Sequence, residues 1–283
     1  MAKGYIEGLF SLEGKTLLFT GGSGVLGSAL ALGAARAGAE VILLGRSAEK
    51  LEAAEKRITQ AAGQVRWAVC DVLDKESLKA AYRELGGEKL RLDALVNAAG
   101  GAVPEASTSS EFYDPAVEDE KDIFKLDSEA FARTGELNFI GSFLPIQVFG
   151  PRLLDRPGGS IVNISSMGAV WPLTKSPAYS AGKAAVQNFT QWLSVYFGKA
   201  GVRVNAIAPG FFLTEQNRFL LTDPKTGAPS PRGEKIKQAT PMARFGQPQE
   251  LITTLLYLLS DASSFVTGAV LPVDGGFSAY GGV

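Results

Sequence analysis

The stretch "TLLFTGGSGVLGSALALGAARAGAEVILLGR" spans residues 16–46 and joins two short apolar runs through a glycine-rich loop and a helical pattern. The apolar runs at 16–22 and 40–45 have the length and composition of buried strands. The pattern at 26–38 predicts a helix between them. A strand, a helix and a second strand in this order form the repeating unit of a parallel sheet. The stretch therefore predicts an α/β protein.

The same alternation continues along the chain. Further strands are predicted at 65–72, 92–100, 159–166, 202–210 and 269–276, and further helices at 47–63 and 75–86, from about 177, and near 248–260. Right-handed crossovers wind such a chain over both faces of one sheet. We expect a Rossmann-type, doubly wound parallel sheet in a single domain over 1–283, with ligands at the carboxyl ends of the strands.

Two long stretches interrupt this alternation. Residues 101–130 are rich in small and acidic side chains, and residues 213–240 include "TDPKTGAPSPRGEK". Long loops in a compact domain are often functional, although either stretch could equally be a surface excursion. We expect an inserted loop at 101–130 and a substrate lid at 213–240.

The composition excludes several classes of function. The net charge is −1, so no strong field draws the chain to nucleic acid or anionic lipid. Neither a membrane span nor the apolar stretch of a signal peptide is evident. The single cysteine, Cys70, excludes an internal disulfide and fits a reducing, cytoplasmic location. Because the chain has no histidine, the usual zinc sites are not expected, and no metal site is predicted.

The glycine-rich loop carries the first functional signal. Gly22, Gly24 and Gly27 spell G-x-G-x-x-G between the first predicted strand and the first predicted helix. Glycine lets backbone N–H groups approach a pyrophosphate, and the helix N-terminus adds a partial positive charge. The motif is weak alone, but this is the context that it requires. The loop therefore predicts a dinucleotide site.

The end of the second strand bears on the choice of dinucleotide. Sites selective for NAD usually place an acid there to hold the ribose hydroxyls. This chain has Gly45 and then Arg46, whose guanidinium could pair with a 2′-phosphate or simply be solvated. NADP is therefore slightly favoured over NAD. Asp71, after the third strand, could accept a hydrogen bond from the adenine amino group or cap the next helix.

The stretch "PAYSAGK" (177–183) predicts the chemistry. Ser176 and Pro177 are typical of a helix start, so Tyr179 and Lys183 fall on one helical face, one turn apart. A free tyrosine has a pKa of about 10, and a nearby ammonium favours the phenolate and lowers that value. Tyr179 could then exchange a proton with a carbonyl or alcohol near neutral pH. Taken alone, this spacing is also found in surface pairs.

Two further polar residues lie where they could contact a substrate carbonyl or a proton-relay water. Ser166 ends a predicted strand thirteen residues before Tyr179, where its hydroxyl could hold a substrate carbonyl. Asn138, in "ELNFIG", could orient a proton-relay water beside Lys183, or could be a helix-interior residue bonded to backbone.

Together these residues resemble the short-chain dehydrogenase/reductase family, from about Leu12 to Gly276. The matching motifs are "TGGSGVLG", "DV" at 71–72, "NAAG" at 97–100, Asn138, Ser166, "YSAGK", "PG" at 209–210 and "VDGG" at 273–276. One departure is evident, because the usual T-G-x-x-x-G-x-G pattern places its middle glycine where this chain has Val25.

The resemblance implies a role for each matching residue. Tyr179 is the general acid/base, and Lys183 binds the nicotinamide ribose and lowers the pKa of Tyr179. Ser166 polarises the carbonyl, Asn138 supports a proton relay, and Asn97 steadies the sheet beside the cofactor. The implied cofactor-binding residues are Gly21, Ser23, Gly24, Val25, Leu26, Arg46, Asp71, Val72, Asn97, Ala98, Gly100, Tyr179, Lys183, Pro209, Gly210, Phe212 and Thr214.

Within the family, the chain is similar to the branch of D-mannonate oxidoreductases (fructuronate reductases), which reduce the keto group of the sugar acid D-fructuronate. The stretches that carry this similarity are "NISSMGAVWPLTKSPAYSAGKAAVQNFTQWL", "NAIAPGFFLTEQNRFLL", "TPMARFGQPQEL" and "LPVDGGFSAYGGV". The alternatives are another keto-reductase, of the gluconate 5-dehydrogenase or 3-oxoacyl thioester type, and a non-catalytic dinucleotide sensor. A sensor needs neither the serine nor the tyrosine.

A sugar acid requires a cation or several hydrogen-bond donors in the pocket. Lys175, just before the catalytic helix, is the predicted partner of the carboxylate, unless it is a solvated lysine. Gln216, Asn217 and Arg218 in the lid are further candidates. The helix from about 177 is apolar on more than one face, which favours a homo-oligomer, a dimer or a tetramer. The residues concerned are Phe189, Trp192, Leu193, Tyr196 and Phe197.

Overall fold

Seven parallel strands form one sheet, in the order β3-β2-β1-β4-β5-β6-β7. The computed structural model describes residues 4–119, 121–214, 217–223 and 226–282. The strands are β1 Thr16–Thr20, β2 Glu40–Gly45, β3 Val65–Val69, β4 Ala94–Asn97, β5 Ser160–Ile164, β6 Arg203–Pro209 and β7 Val270–Val273. The strand order reverses between β1 and β4, and ligands of such sheets bind in the crevice at this point.

Helices cover both faces of the sheet. They are α1 Tyr5–Phe10, α2 Val25–Arg36, α3 Ala48–Ala62, α4 Lys75–Glu84, α5 Ser128–Phe149, α6 Pro177–Gly198, α7 Arg218–Leu221, α8 Pro231–Ala239 and α9 Ile252–Leu259. Successive β1 side chains point to opposite faces, as strand geometry requires. Leu17 and Phe19 pack in the core beneath α2, α3 and α9, and Leu18 packs in the core beneath α4, α5 and α6. The predicted doubly wound fold is confirmed.

The predicted strands and helices are all present, and the structure adds four helices that were not predicted, namely α1, α5, α7 and α8. The predicted strand at 269–276 is too long, because β7 ends at Val273. The predicted strands at 16–22, 65–72, 92–100 and 159–166 are also too long, because β1, β3, β4 and β5 end at Thr20, Val69, Asn97 and Ile164. The residues beyond these ends form the loops of the cleft described below.

The sequence analysis assigned no element to residues 131–158, where α5 extends to Phe149. This helix contains Pro145 and two glycines, which weaken a helical pattern. Tertiary packing on α4 and α6 compensates. Because α5 begins at Ser128, it also shortens the predicted loop at 101–130.

The predicted lid at 213–240 has its own structure. It contains α7 and α8, joined by a turn whose flanks meet in an antiparallel bridge between Thr222 and Pro229. Ser230 donates its N–H to the carbonyl of Leu221 at 2.9 Å. The lid is therefore a helical hairpin. Among the described residues, none of the helices has the length and hydropathy that a membrane crossing requires.

Candidate active site

A cleft of about 620 Å³ opens at the carboxyl ends of the strands, over the point where the strand order reverses. Its walls come from the loops after β1 to β6, the start of α6 and the lid. The cleft therefore occupies the position that the fold predicts for a ligand.

The glycine loop between β1 and α2 forms one wall by close backbone packing. Gly21 has a φ of +62°, and a Cβ built on it would lie 2.8 Å from the Ala99 Cα. A Cβ on Gly27 would lie 2.2 Å from the Gly21 carbonyl oxygen. Gly24 is the N-cap of α2, and Val25 is its first residue. The loop thus remains tight although valine stands at the middle glycine position of the usual pattern.

This loop fits a dinucleotide pyrophosphate. Backbone atoms of the loop line the cleft, and side chains at the glycine positions would fill this space. The N-terminus of α2 points to the same part of the cleft. Thr20 Oγ1 accepts hydrogen bonds from the N–H groups of Ala98 and Ala99, both at 3.2 Å, and so ties this loop to the end of β4.

The far end of the cleft lies beyond β2 and β3. Arg46, Lys50 and Asp71 line it. Asp71 does not cap α4, because the cap of that helix is Asp74, whose carboxylate accepts from the N–H groups of Glu76 and Ser77. The Asp71 carboxylate instead accepts from the Leu73 N–H at 2.9 Å, and its predicted contact with the adenine amino group stays a prediction. Burial raises the pKa of the neighbouring Cys70 thiol to about 11, so this thiol is protonated at neutral pH.

Ser166, Tyr179 and Lys183 meet at the inner end of the cleft. Ser166 follows β5, and α6 begins at Pro177, as predicted, although the Ser176 side chain makes no capping bond. Lys183 Nζ lies 5.8 Å from the centroid of the Tyr179 ring and donates to the Ile164 carbonyl at 2.7 Å. The Ser166 side chain lies close enough to the Tyr179 phenol to act on its pKa as a hydrogen-bond donor. The carboxyl end of β5 and one turn of α6 therefore hold these three side chains in place.

The electrostatics of this cluster differ from the expectation. Burial raises the pKa of the Tyr179 phenol above its ordinary value, and the hydrogen bond from Ser166 opposes that rise only in part. Burial lowers the pKa of Lys183 to about 8. The predicted lowering of the Tyr179 pKa by Lys183 is therefore not found, because burial has the largest effect and the opposing effect comes from Ser166. The phenol is protonated at neutral pH, which is the form that donates a proton.

Asn138 lies behind the catalytic cluster, fully buried on α5. Its Nδ2 donates to the carbonyls of Gly101 at 2.7 Å and Thr134 at 2.8 Å, and its Oδ1 accepts from the Gly101 N–H at 3.2 Å. A Cβ on Gly100 would lie 2.8 Å from Asn138 Oδ1 and 3.0 Å from Lys183 Nζ. These contacts agree with the alternative that Asn138 is a helix-interior asparagine bonded to backbone. Through them, Asn138 holds the turn after β4 beside Lys183.

Most of the predicted cofactor residues line the cleft. They are Gly21, Ser23, Gly24, Val25, Leu26, Arg46, Asp71, Val72, Ala98, Gly100, Tyr179, Lys183, Pro209, Gly210, Phe212 and Thr214. Asn97 lies beneath it, and its Nδ2 donates to Asn163 Oδ1 at 2.9 Å within the sheet. This position agrees with a residue that steadies the sheet.

The predicted substrate residues divide differently. Asn217 lines the cleft, but its amide accepts from the Thr214 N–H and donates to the Phe212 carbonyl, both at 2.8 Å. It therefore organises the base of the lid. Lys175 does not line the cleft; it is half-buried, with a φ of +70°, and its carbonyl accepts from the Thr108 N–H at 2.9 Å. Gln216 lies outside the described residues.

The structure also brings in residues that the sequence analysis did not select. They include Lys50, Leu137, Met167, Leu173, Ser176, Phe211 and Arg232. No local motif identifies them, because they come from separate elements of the chain that only the fold brings to the cleft. Among the described residues, no group of three or more histidine, cysteine or acidic side chains is arranged to hold a metal ion.

Comparison with known proteins gives consistent results. A family model described as enoyl-(acyl carrier protein) reductase matches residues 23–278. An uncharacterized oxidoreductase, UxuB, from Bacillus subtilis is 49% identical over 274 residues, which cover 96% of this chain and 98% of that protein.

Two solved structures are also similar. One, from Haemophilus influenza with bound NAD, is provisionally named a D-mannonate oxidoreductase; it is 45% identical, with a TM-score of 0.92, and the match covers 98% of this chain and 100% of that one. The other is a gluconate 5-dehydrogenase from Burkholderia cenocepacia in complex with NADP and tartrate, at 29% identity, a TM-score of 0.82, and coverage of 98% and 100%. With its sheet, glycine loop and catalytic cluster, the chain belongs to the short-chain dehydrogenase/reductase family, the NAD(P)-dependent oxidoreductases of alcohol and keto groups.

Proposed function

We propose that the protein reduces the keto group of a sugar acid, D-fructuronate, to give D-mannonate. The observation that carries the substrate assignment is the likeness, over 98% of the chain, to the structure provisionally named a D-mannonate oxidoreductase. The paired hydroxyls of Ser166 and Tyr179 at the inner end of the cleft support the reaction type.

The positions of the side chains in the cleft support a separate role for each in the reaction. The Ser166 and Tyr179 hydroxyls lie together and can both donate hydrogen bonds to one carbonyl oxygen, which stabilises the negative charge that develops there. The glycine loop and Lys183 would hold a nicotinamide dinucleotide, which would supply the hydride that C5 of the open-chain uronate accepts. Tyr179 gives its proton to the oxygen, so the carbonyl becomes an alcohol.

Lys183 and Asn138 support this step. Lys183 Nζ has three N–H donors, one of which is taken by the Ile164 carbonyl. We assign the remaining two to the nicotinamide ribose and to a water that replaces the proton lost by Tyr179. Asn138 holds the turn at Gly100 and Gly101 against Lys183 and so positions that ammonium.

We further propose that NADP is preferred to NAD. Arg46 and Lys50 both line the far end of the cleft, and Gly45 provides no carboxylate to hold the ribose hydroxyls. A replacement acid at Gly45 is disfavoured by space, since its Cβ would lie 2.7 Å from Ser23 Oγ. The ratio of kcat/KM for NADPH to that for NADH should fall in Arg46→Ser, and an unchanged ratio would remove Arg46 from the cofactor site.

The outer face of α6 supports self-association. Trp192 and Tyr196 are stacked at 4.9 Å between ring centroids and are 56% and 66% exposed, next to Val195 at 82%. We propose that a second copy of the chain covers this face. We also propose a cytoplasmic location, because the single cysteine, Cys70, fits a reducing compartment. Sedimentation of the protein and of Tyr196→Glu tests this, because a monomeric wild type would contradict it.

A second candidate is a gluconate 5-dehydrogenase activity, favoured by the likeness to the structure with NADP and tartrate. The deciding experiment assays a panel of keto hexuronates and hexonates with both cofactors. Reduction of D-fructuronate well above the other keto acids supports the proposal. Preference for 5-ketogluconate supports the second candidate, and nucleotide binding without turnover of any substrate would indicate a sensor.

A further inference from the structure

We propose that Arg232, on the lid helix α8, determines the specificity for a carboxylate by pairing with the acid group of the substrate. This inference rests on the proposed function, which requires a cation or several hydrogen-bond donors at the substrate end of the cleft. It differs from the sequence expectation, which placed that cation at Lys175.

Few cationic side chains line the cleft. Among the described residues there are four, namely Arg46, Lys50, Lys183 and Arg232. Arg46 and Lys50 follow β2, which is three strands from β5 and Ser166 in the sheet order, or roughly 14 Å at the usual strand spacing. Lys183 is committed to the catalytic cluster. Arg232 is therefore the cation left for a substrate anion.

The charges around the lid leave Arg232 available. Glu111, in the segment opposite α8, pairs with Lys235 at 2.6 Å. Thr108, in the same segment, donates its N–H to the carbonyl of Lys175 at 2.9 Å, so this segment links α8 to the residues just before α6. Besides the bond from Lys235, Lys175 and Arg232 both lower the pKa of the Glu111 carboxyl. Within the described residues, Arg232 itself makes no hydrogen bond or ion pair through its side chain.

The position of Arg232 on α8 is built into the lid. Ser230 caps the helix by accepting from the Gly233 N–H at 3.1 Å. A Cβ on Gly233 would lie 2.1 Å from the Leu221 carbonyl oxygen, so α8 packs directly on the end of α7. Together with the Glu111–Lys235 pair, these contacts hold α8 from both sides. An arginine can bind a carboxylate with two parallel hydrogen bonds, which suits this role.

The test compares one acid with its neutral analogue. D-fructuronate and its uronamide differ only in the charged group, and Arg232→Met removes only the proposed partner. We expect kcat/KM for D-fructuronate to fall roughly 10- to 150-fold, mainly through KM, which corresponds to a charge-assisted hydrogen bond. The value for the uronamide should change by less than about threefold, and the KM for the dinucleotide should not change.

Two matched variants complete the design. Lys237→Met removes a positive charge from the same helix, where Lys237 faces Glu234 at 3.7 Å, and should have little effect on either substrate. Lys175→Met distinguishes the two candidate cations. An acid-specific loss in Lys175→Met but not in Arg232→Met would overturn the proposal, as would equal losses for both substrates or a loss confined to dinucleotide binding.

The outcome also separates this proposal from the proposed function. If the wild type reduces another keto acid instead of D-fructuronate, the substrate assignment fails, and the same comparison is made with that acid and its amide. If the wild type prefers the neutral analogue, Arg232 has no carboxylate to bind, and both proposals are overturned.

Discussion

The inner wall of the cleft and its outer rim differ in how firmly each is held. On the inner wall, Asn138, Lys183 and Ser166 are 0%, 4% and 6% exposed, and strand ends and α6 fix their positions. On the outer rim, formed by residues 101–127 and the lid, Phe112 and Tyr113 are 82% and 63% exposed. An exposed ion pair, Glu111–Lys235, joins the two parts of the rim. We therefore propose that the chemistry resides in the buried inner wall and that the choice of substrate resides in the rim.

Removal of the Tyr179 hydroxyl should have the largest effect. Tyr179→Phe keeps the ring but removes the proton donor, so kcat should fall by roughly 10²–10⁴-fold. Dinucleotide affinity, measured by fluorescence titration, should remain close to that of the wild type. Substantial residual turnover in this variant would mean that another group of the inner wall delivers the proton.

A methyl group in the glycine loop should act next most strongly. The new Cβ in Gly27→Ala would lie 2.2 Å from the Gly21 carbonyl oxygen, so the loop must shift. Overpacking of this kind costs about 1–3 kcal/mol in free energy of unfolding, and dinucleotide affinity should fall as well. Gly198→Ala, at the exposed end of α6 with nothing within 4 Å of its Cβ, is the matched control for chemical denaturation. Equal effects of the two would contradict the close packing.

The rate should depend on pH through Lys183 and Tyr179. Reduction requires the ammonium and the protonated phenol, and both are present at low pH. Because the pKa of Lys183 is about 8, kcat/KM for reduction should be constant below that pH and fall above it. Oxidation needs the phenolate form of Tyr179. Because the pKa of Tyr179 is raised, little phenolate is present near neutral pH, and the rate of oxidation should rise with pH. A reduction rate that increases between pH 7 and 9 would contradict these assignments.

Loss of the rim ion pair should have the smallest effect. Lys235→Met frees Glu111, but exposed pairs contribute little, so we expect at most a few-fold rise in KM for the sugar acid. Glu111→Gln should match it, and the double variant should be no worse than either single one. Steady-state kinetics with the three variants measures this, and a large fall in kcat would mean that the rim reaches the chemistry.

The sequence predicts the wall far better than the rim. Strand ends and the spacing between motifs place Ser166, Tyr179, Lys183 and the glycine loop, because local patterns determine the sheet. Helix α5 is not predicted because Pro145 and its glycines weaken its pattern, and packing on α4 and α6 stabilises it. The rim residues are also not predicted from the sequence, because their positions depend on tertiary packing. Arg232 lies 53 residues after Tyr179, and only the folded hairpin shows which of the rim cations faces the cleft.

The most direct test of the proposed reaction follows the hydride. D-fructuronate is incubated with the protein and a reduced dinucleotide that carries deuterium at the transferring position of nicotinamide C4, and the product is examined by NMR. Our account predicts D-mannonate with one deuterium at C5. A product of another configuration, deuterium at another carbon, or no consumption of D-fructuronate would contradict it.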